Sequence, residues 1–272
     1  MSTPEVLVLA LLTSGIGALG GIGGAVILVP ALVLSGMSAG QAAPLGLLSV
    51  AAGSLAAAPR QLQERTVNHR LGVTTETAAS AGAVVGALLS GSLSDSFLTV
   101  CLAVTALVAA AATGLRRDVE GEVIERPPDI DLGEERGSLA GTYPVPAGAT
   151  PYTATNLPAG LAVMTTAGLT AGLAGVSGGF IKTPATTEIM KVPVKVAAST
   201  TTFTVGISSA AALVILTIHG RVDLDHAAPL LVGSLVGGRV GALAQARFEP
   251  KLVRVILGGV LVVVSGLLFA KA

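Results

Sequence analysis

The sequence GIGGAVILVP at residues 21–30 returns in altered form as GVSGGFIKTP at residues 175–184. The glycine-rich motifs and the prolines that end these stretches share one offset, 175 − 21 = 154 positions, and Ala43 and Ala197 keep the same offset. A duplicated, apolar, glycine-rich unit is typical of transporters built from two halves around one central site. We therefore expect the function to lie where the two copies differ.

Further glycines match between the two halves. Gly82 and Gly86 align with Gly237 and Gly241 once one residue is inserted. Together with Gly233 they follow the pattern of small residues four positions apart that lets membrane helices approach closely. We interpret these five glycines as packing residues rather than as part of a binding site.

The composition places the chain in a membrane. Its residues are 51% hydrophobic and only 12% charged, mean hydropathy is +0.79, and several apolar runs approach the roughly 20 residues that cross a bilayer. The formal net charge is zero, which leaves no basic surface typical of nucleic-acid binding. We expect spanning helices, because an open strand cannot satisfy its backbone in lipid.

The apolar segments divide the chain into two halves and a linker. The segments lie at 5–35, 42–59, 71–92 and 97–115, and again at 159–187, 196–218, 227–246 and 252–270. The polar, acidic and proline-rich stretch between them is expected to be a solvated linker with little fixed structure. The prediction is an all-α polytopic membrane protein with a first membrane repeat at 1–115, a cytoplasmic linker at 116–158 and a second membrane repeat at 159–272.

The first segment of each half is too long for one simple crossing. About 30 residues would make a helix of about 45 Å, against about 30 Å of hydrocarbon, and glycines interrupt the segment near its middle. The segment is either one tilted, discontinuous helix or a re-entrant hairpin that enters and leaves on the same face. In either case, we expect each repeat to begin with a glycine-broken or re-entrant helix.

The distribution of basic residues favours the re-entrant alternative. Arginines in the loop at 60–70 and in the linker indicate that both are cytoplasmic. Eight simple crossings would place Lys191 and Lys195 outside, whereas re-entrant segments leave three crossings per half and misplace only Arg221 and Lys271. We therefore expect an inverted repeat with both termini outside.

The second glycine motif predicts an anion site. A helix broken at Gly178 and Gly179 offers unpaired backbone N–H groups where the helix dipole also favours negative charge. Ser177 adds a hydroxyl, and Lys182 follows one helical turn later. Lys182 either adds a positive charge to the site or extends to the membrane interface. Its equivalent in the first copy is Leu28.

Arg239 is the other charged candidate. It lies near the middle of the apolar segment at 227–246, where an arginine is costly and marks a pathway or a paired site. Glu76 is the intramolecular partner to test, although it lies nearer a segment end, and a bound anion is the other candidate partner. Hydroxyls at 199–202 supply further groups, some of which must face the interior. The expected substrate-binding residues are Gly23, Gly24, Ser177, Gly178, Gly179, Lys182, Thr200, Thr201 and Arg239.

These motifs resemble the TauE/SafE-type permeases, the sulfite exporter family. The resemblance rests on the two glycine motifs with their prolines, the stretch at 197–202 and the paired glycines, and it leaves out the linker. It implies two duplicated halves and movement of sulfite, sulfonates and related small organic anions across the inner membrane. The chain departs from the pattern at 45–47, where the first copy lacks the hydroxyls of 199–201, so the second half receives more weight.

The expected function is secondary transport of a small sulfur-containing or carboxylated anion. Export is favoured, because an inside-negative potential expels an anion with about 2.3 kcal/mol per charge per 100 mV. Uptake would need a coupling ion, with Glu76 or Glu188 as proton carrier. An anion channel is the alternative. The expected partners are the anionic substrate and membrane lipid, with a homodimer left open and no nucleic acid.

Enzyme activity is not expected. Ser177 lies in a motif similar to the nucleophile motif of rhomboid-type intramembrane proteases, but a serine nucleophile needs a base within hydrogen-bond reach. The histidines His69, His219 and His226 fall in predicted loops. We also expect no catalytic residues, no cofactor and no metal.

Overall fold

The computed structural model describes residues 2–20, 23–114, 132–145, 148–244 and 250–272. Gly21 of the first motif and the linker residues 115–131 lie outside the described residues. The described part is mostly helical, which confirms an all-α polytopic architecture for the membrane segments. In chain order its helices are α1 (Thr3–Gly20), α2 (Ala25–Leu34), α3 (Ala39–Gln63), α4 (His69–Ser90), α5 (Asp95–Gly114), α6 (Leu157–Ala174), α7 (Gly179–Pro184) with a π-helical turn (Ala185–Ile189), α8 (Val194–Ile218), α9 (Leu224–Ala244) and α10 (Pro250–Lys271).

Six of the described helices, α3, α4, α5, α6, α8 and α9, are long and apolar enough to cross a membrane. Local sequence explains several of their ends. Ser38 begins α3 by accepting the Gln41 N–H at 3.3 Å, and Asn68 begins α4 by accepting the Leu71 N–H at 2.9 Å. Such caps fix where the helices start.

Hydrogen bonds identify the two ends of the helix bundle. At the end that we call the linker end, Thr66 between α3 and α4 donates to Ser199 near the start of α8 at 2.9 Å. At the opposite end, which we call the distal end, Arg221 before α9 reaches Ser90 at the end of α4 at 2.7 Å and the Gly40 carbonyl at the start of α3 at 3.3 Å. These contacts give each long helix a direction.

The first broken segment is a hairpin that starts and finishes at the distal end. Helix α1 runs beside α9 in the same direction, because a Cβ added at Gly237 would lie 2.1 Å from the Leu11 carbonyl oxygen and one at Gly241 would lie 2.2 Å from that of Gly15. Helix α9 begins at the distal end, so α1 does too. The chain then turns at the glycine motif, and α2 ends close to the start of α3, again at the distal end.

The second broken segment is a hairpin at the linker end. Helix α6 runs beside α4 in the same direction. A Cβ added at Gly82 would lie 2.0 Å from the Thr165 carbonyl oxygen, and one added four residues later at Gly86 would lie 2.3 Å from the carbonyl oxygen of Leu169, also four residues later. The Thr155 N–H, just before α6, donates to the carbonyl of Met190 after the π-helical turn at 2.9 Å. Both breaks at glycine motifs, and the packing role of the paired glycines, are thus confirmed.

The expectation of little fixed structure in the linker is wrong for its described second part. Strands β1 (Gly133–Glu134), β2 (Ala140–Val145) and β3 (Gly148–Thr153) form one antiparallel sheet in the order β1-β2-β3. No charged residue occurs between 137 and 181, and Tyr143 and Ala149 of this sheet are buried. The acidic and proline content of the whole linker obscured this uncharged, alternating stretch.

The sheet is fastened to the linker end of the helices. The Asn68 side chain donates to the Ala140 carbonyl at 3.3 Å and to the Tyr152 hydroxyl at 3.1 Å, and the His69 N–H donates to the Glu134 carboxylate at 2.6 Å. Burial raises the pKa of Tyr152, so its hydroxyl stays protonated. The linker sheet is therefore packed against the start of α4.

Replacing Gly237 with alanine tests the packing of α1 on α9. The added Cβ must push the Leu11 carbonyl aside, and overpacking of this kind costs about 1–3 kcal/mol. We expect Gly237→Ala to lower the thermal unfolding temperature of the detergent-purified protein, and Gly82→Ala to do the same at the α4–α6 interface. The control is Gly259→Ala on α10, where the Cβ meets open space. Equal unfolding temperatures for Gly237→Ala and Gly259→Ala would contradict the packing.

Candidate functional site

The two glycine motifs meet inside the bundle. Gly23 has φ +83° and lies against Ser177, whose Cβ would be 3.2 Å from a Cβ added at Gly23. Gly175 has φ +70°, and a Cβ there would lie 2.2 Å from the Cα of Ala43. Both the positive φ and the close backbone approach require glycine. The breaks in the two hairpins therefore touch each other, one from each half.

The second motif brings several of the expected site residues together. The Ser177 hydroxyl is buried and accepts the Gly179 N–H at 3.1 Å, so one amide of the expected anion nest already has a partner. A Cβ added at Gly178 would lie 3.2 Å from Cε of Lys182, and one at Gly179 would lie 3.8 Å from the Thr201 methyl group. The lysine side chain, the Ser177 hydroxyl and the Thr201 methyl group thus lie next to the start of α7.

Lys182 is buried and paired, which excludes its extension to the membrane interface. Its Nζ donates to the two carboxylate oxygens of Glu76 at 2.8 and 3.0 Å, and to the Ser208 hydroxyl at 3.0 Å. Only 1% of Lys182 and 2% of Glu76 is exposed. The ammonium therefore has three acceptors and no access to solvent.

Glu76 has two further donors on α8. Its carboxylate accepts the Ser208 N–H at 3.2 Å and lies 3.3 Å from the Thr204 hydroxyl, whose one proton is shared with the Thr200 carbonyl. Burying a charge without partners is costly, and a buried pair is stable only when hydrogen bonds satisfy its remaining lone pairs and protons. The pair meets this requirement, and it joins α4 of the first half to α7 and α8 of the second.

The structure does not bring Arg239 to this cluster. The Arg239 side chain is exposed between exposed apolar neighbours on α9, and within the described residues it makes neither a hydrogen bond nor an ion pair. Gly237 and Gly241 face α1, whereas Gly238 faces α3, so position 239 points away from both. Glu76, considered above as the partner of Arg239, is the partner of Lys182 instead.

Thr204 and Ser208 are site residues that the sequence reasoning missed. Their signal is the spacing of Thr200, Thr204 and Ser208, four positions apart, which puts three hydroxyls on one face of α8. Thr200 accepts the Asn68 N–H at 3.0 Å, and Thr204 donates to the Thr200 carbonyl at 2.9 Å. This polar face runs from the linker sheet to the ion pair.

Beside the first motif lies a cluster of three buried serines, also missed from the sequence. Ser49 is within 3.2 Å of Ser14 and accepts from Ser234 at 2.9 Å. A Cβ at Gly24 would be 2.7 Å from the Ser14 hydroxyl. Leu28 replaces Lys182 in this half, so the first motif is surrounded by hydroxyls and the second by a charged pair.

The histidines lie at helix ends and do not approach Ser177. His69 starts α4 beside Glu134, His219 ends α8 and contacts the Ile215 carbonyl, and His226 lies near the start of α9. The hydrogen bond with His226 holds the pKa of Asp223 below its usual value. Within the described residues the geometry of a serine protease is not assembled.

A polytopic helical bundle with two broken hairpins that meet at a buried charged site is typical of membrane transporters. The family described as sulfite exporter TauE/SafE matches residues 6–268, so this chain belongs to that family. The chain is similar to the probable membrane transporter protein YunE of Bacillus subtilis (strain 168), with 24% identity over 274 residues, 97% of this chain and 96% of the relative. No solved structure matches the chain.

Removing one partner of the buried pair should destabilise the fold. Lys182→Met leaves the Glu76 carboxylate buried without its cation, a change that typically costs about 3–5 kcal/mol, whereas the double variant Lys182→Met/Glu76→Met should recover most of the loss. Thermal or denaturant unfolding of the purified variants measures the cycle.

The matched control is the exposed pair Lys195–Glu64, whose charged atoms are 3.7 Å apart. An exposed pair of this kind contributes about 0–1 kcal/mol, so Lys195→Met should change stability little. Lys195 is the partner to replace, because Glu64 also pairs with Arg60 at 2.8 Å. The pairing would be contradicted if the double variant of Lys182 and Glu76 lost as much free energy of unfolding as the two single variants lose together.

Proposed function

We propose that this protein is a secondary transporter that carries a small anion, such as sulfite, an organosulfonate or a related carboxylated anion, out of the cell across the inner membrane. The observation that carries the proposal is the buried Lys182 ammonium beside the point where the two glycine motifs meet. A cation held at the breaks of two hairpins suits an anionic substrate. The family's description as sulfite exporters supports the sulfur oxyanions within this class.

The proposed anion site lies between the two motifs. Lys182 supplies the charge, and the backbone amides of Gly178 and Gly179 supply directed N–H groups, the Gly179 N–H once it exchanges the Ser177 hydroxyl for the anion. The Ser177 hydroxyl lies beside them as a further donor. Of the remaining expected members, Gly23 lies against Ser177 and Thr201 lies near Gly179, whereas Gly24 faces Ser14 and Thr200 accepts the Asn68 N–H. Arg239 is left out of the proposed site because its side chain is exposed elsewhere on α9.

An inverted repeat is part of the proposal. Leu11 and Gly15 correspond to Thr165 and Leu169 by the offset of 154 positions. The first two pack against Gly237 and Gly241 of the second half, and the other two pack against the matching glycines of the first half, Gly82 and Gly86. One hairpin opens toward the distal end and the other toward the linker end, which supports the inversion. Alternating access by rocking of one repeat against the other follows from such an arrangement.

Charge distribution supports a cytoplasmic linker end. Among the described residues, the helix ends and loops at the linker end carry Arg60, Arg65, Arg70, Lys191 and Lys195, whereas the distal end carries Arg221 and Lys271. Basic residues concentrate on the cytoplasmic side of membrane proteins. Without a coupling ion, the membrane potential would then drive an anion from the linker end to the distal end, which is export.

Counterflow in proteoliposomes tests the transporter. We expect vesicles loaded with unlabelled sulfite to take up radiolabelled sulfite transiently, with saturation, because a carrier exchanges its substrate across the membrane. Because Lys182→Gln also leaves Glu76 without its cation, the rate is compared per folded molecule. On that basis it should fall about 10- to 100-fold, the value of a charge-assisted hydrogen bond of roughly 1.5–3 kcal/mol. Lys195→Gln is the control and should leave the rate unchanged.

Two outcomes would contradict this proposal. Uptake without counterflow or saturation would indicate the anion channel instead. Absence of movement for sulfite, sulfonates and short carboxylates alike would remove the anion substrate altogether.

Arg239→Gln separates the two candidate cations. Because its side chain is exposed, we expect the variant to retain sulfite counterflow within about twofold, well below the 10-fold change that 1.4 kcal/mol would produce. Loss of counterflow with unchanged thermal stability would instead place Arg239 in the substrate path.

A further inference from the structure

The cation of the proposed anion site is already neutralised by Glu76. Lys182 has both carboxylate oxygens of Glu76 within 3.0 Å, and the two side chains are almost completely buried. As long as Glu76 is ionised, the pair presents no net positive charge. This inference rests on the proposed function and concerns what must happen at the pair when an anion arrives.

Lys182 is the one charged group that faces Glu76 among the described residues. Helix α6, which packs on α4, contains no titratable residue, and α8 contains only Lys195, exposed in its first turn. On α4 itself, His69 and Arg70 lie about two turns away, at the linker end. A second negative charge at the site would therefore find no second cation to compensate it.

An anion that contacts the Lys182 Nζ has to share that ammonium with Glu76. Two negative charges around one ammonium repel each other strongly when the groups are this deeply buried. A proton on the Glu76 carboxylate removes the repulsion and leaves the ammonium for the anion. The same carboxyl group then carries an O–H, which is a donor that the ionised carboxylate lacks.

We propose that Glu76 takes up a proton when an anion binds Lys182, so that the protein carries one proton with each anion. The proton comes from the solution on the side where the anion enters and travels as the O–H of the Glu76 carboxyl group. When the anion leaves on the opposite side of the membrane, the carboxyl group releases its proton to that side, and the Lys182–Glu76 pair forms again. Ser208 and Thr204 hold the carboxyl group in place in both forms.

Coupling to a proton changes the driving force of transport. One monovalent anion and one proton together carry no net charge, so the membrane potential no longer drives the step. The direction then follows from the anion gradient and the pH gradient, and export takes place when the internal anion concentration outweighs the pH gradient.

Proton movement with methanesulfonate tests this inference. The sulfonate group stays ionised at any working pH, so it cannot carry the proton itself. An inward methanesulfonate gradient across wild-type proteoliposomes should acidify the lumen, which an enclosed pH-sensitive dye reports. A potassium diffusion potential set with valinomycin should leave the rate of this acidification unchanged. Sulfite counterflow is measured in the same vesicles.

Glu76→Gln keeps the shape of the side chain and an oxygen that accepts from Lys182, but the amide cannot take up or release the proposed proton. We expect this variant to lower the protons moved per anion at least 10-fold and to make anion movement depend on voltage. The control is Glu188→Gln, an exposed carboxylate on the same broken segment as Lys182, which should leave the proton movement unchanged.

The outcomes separate the inference from the proposed function. Wild-type movement of methanesulfonate without acidification of the lumen, or acidification that persists in Glu76→Gln, would overturn proton coupling and leave the transporter in place. If neither methanesulfonate nor sulfite moves, the proposed function fails and the inference fails with it. If Glu76→Gln does not fold, the wild-type proton and voltage measurements decide alone.

Discussion

The ion pair between Lys182 and Glu76 is the interaction on which the centre of this structure depends. Its partners come from different halves of the chain, and Ser208 and Thr204 of a third helix complete its hydrogen bonds. Neither charge could remain at this depth alone, because the loss of hydration would not be offset. The pair therefore fixes how α4, α7 and α8 are placed, and any event that separates it must supply a new partner for each side chain.

Glycine packing brings that pair together. The carbonyls of α1 and α6 lie where Cβ atoms on α9 and α4 would stand, so each broken hairpin is held against a long helix of the other half. Because each hairpin packs on the opposite half, Gly23 comes to lie against Ser177, with the ion pair nearby. Neither half could form the site by itself, because Gly23 and Glu76 come from the first half and Ser177 and Lys182 come from the second.

Part of this arrangement was readable in the sequence and part was not. The breaks at the glycine motifs and the packing role of Gly237 follow from segment length and residue size. The burial of Lys182 and the exposure of Arg239 do not, because both lie within apolar segments and the packed face of a helix depends on its neighbours. The linker sheet was missed for a different reason: average composition hid an uncharged, alternating stretch behind acidic residues.

Infrared difference spectroscopy of the purified protein on addition of sulfite or methanesulfonate would test the central claim most directly. The account predicts a band of a protonated carboxyl group that appears with anion binding and is missing in Glu76→Gln. Anion binding without any change in the carboxyl region would show that Glu76 stays ionised beside the bound anion, and that would contradict the account.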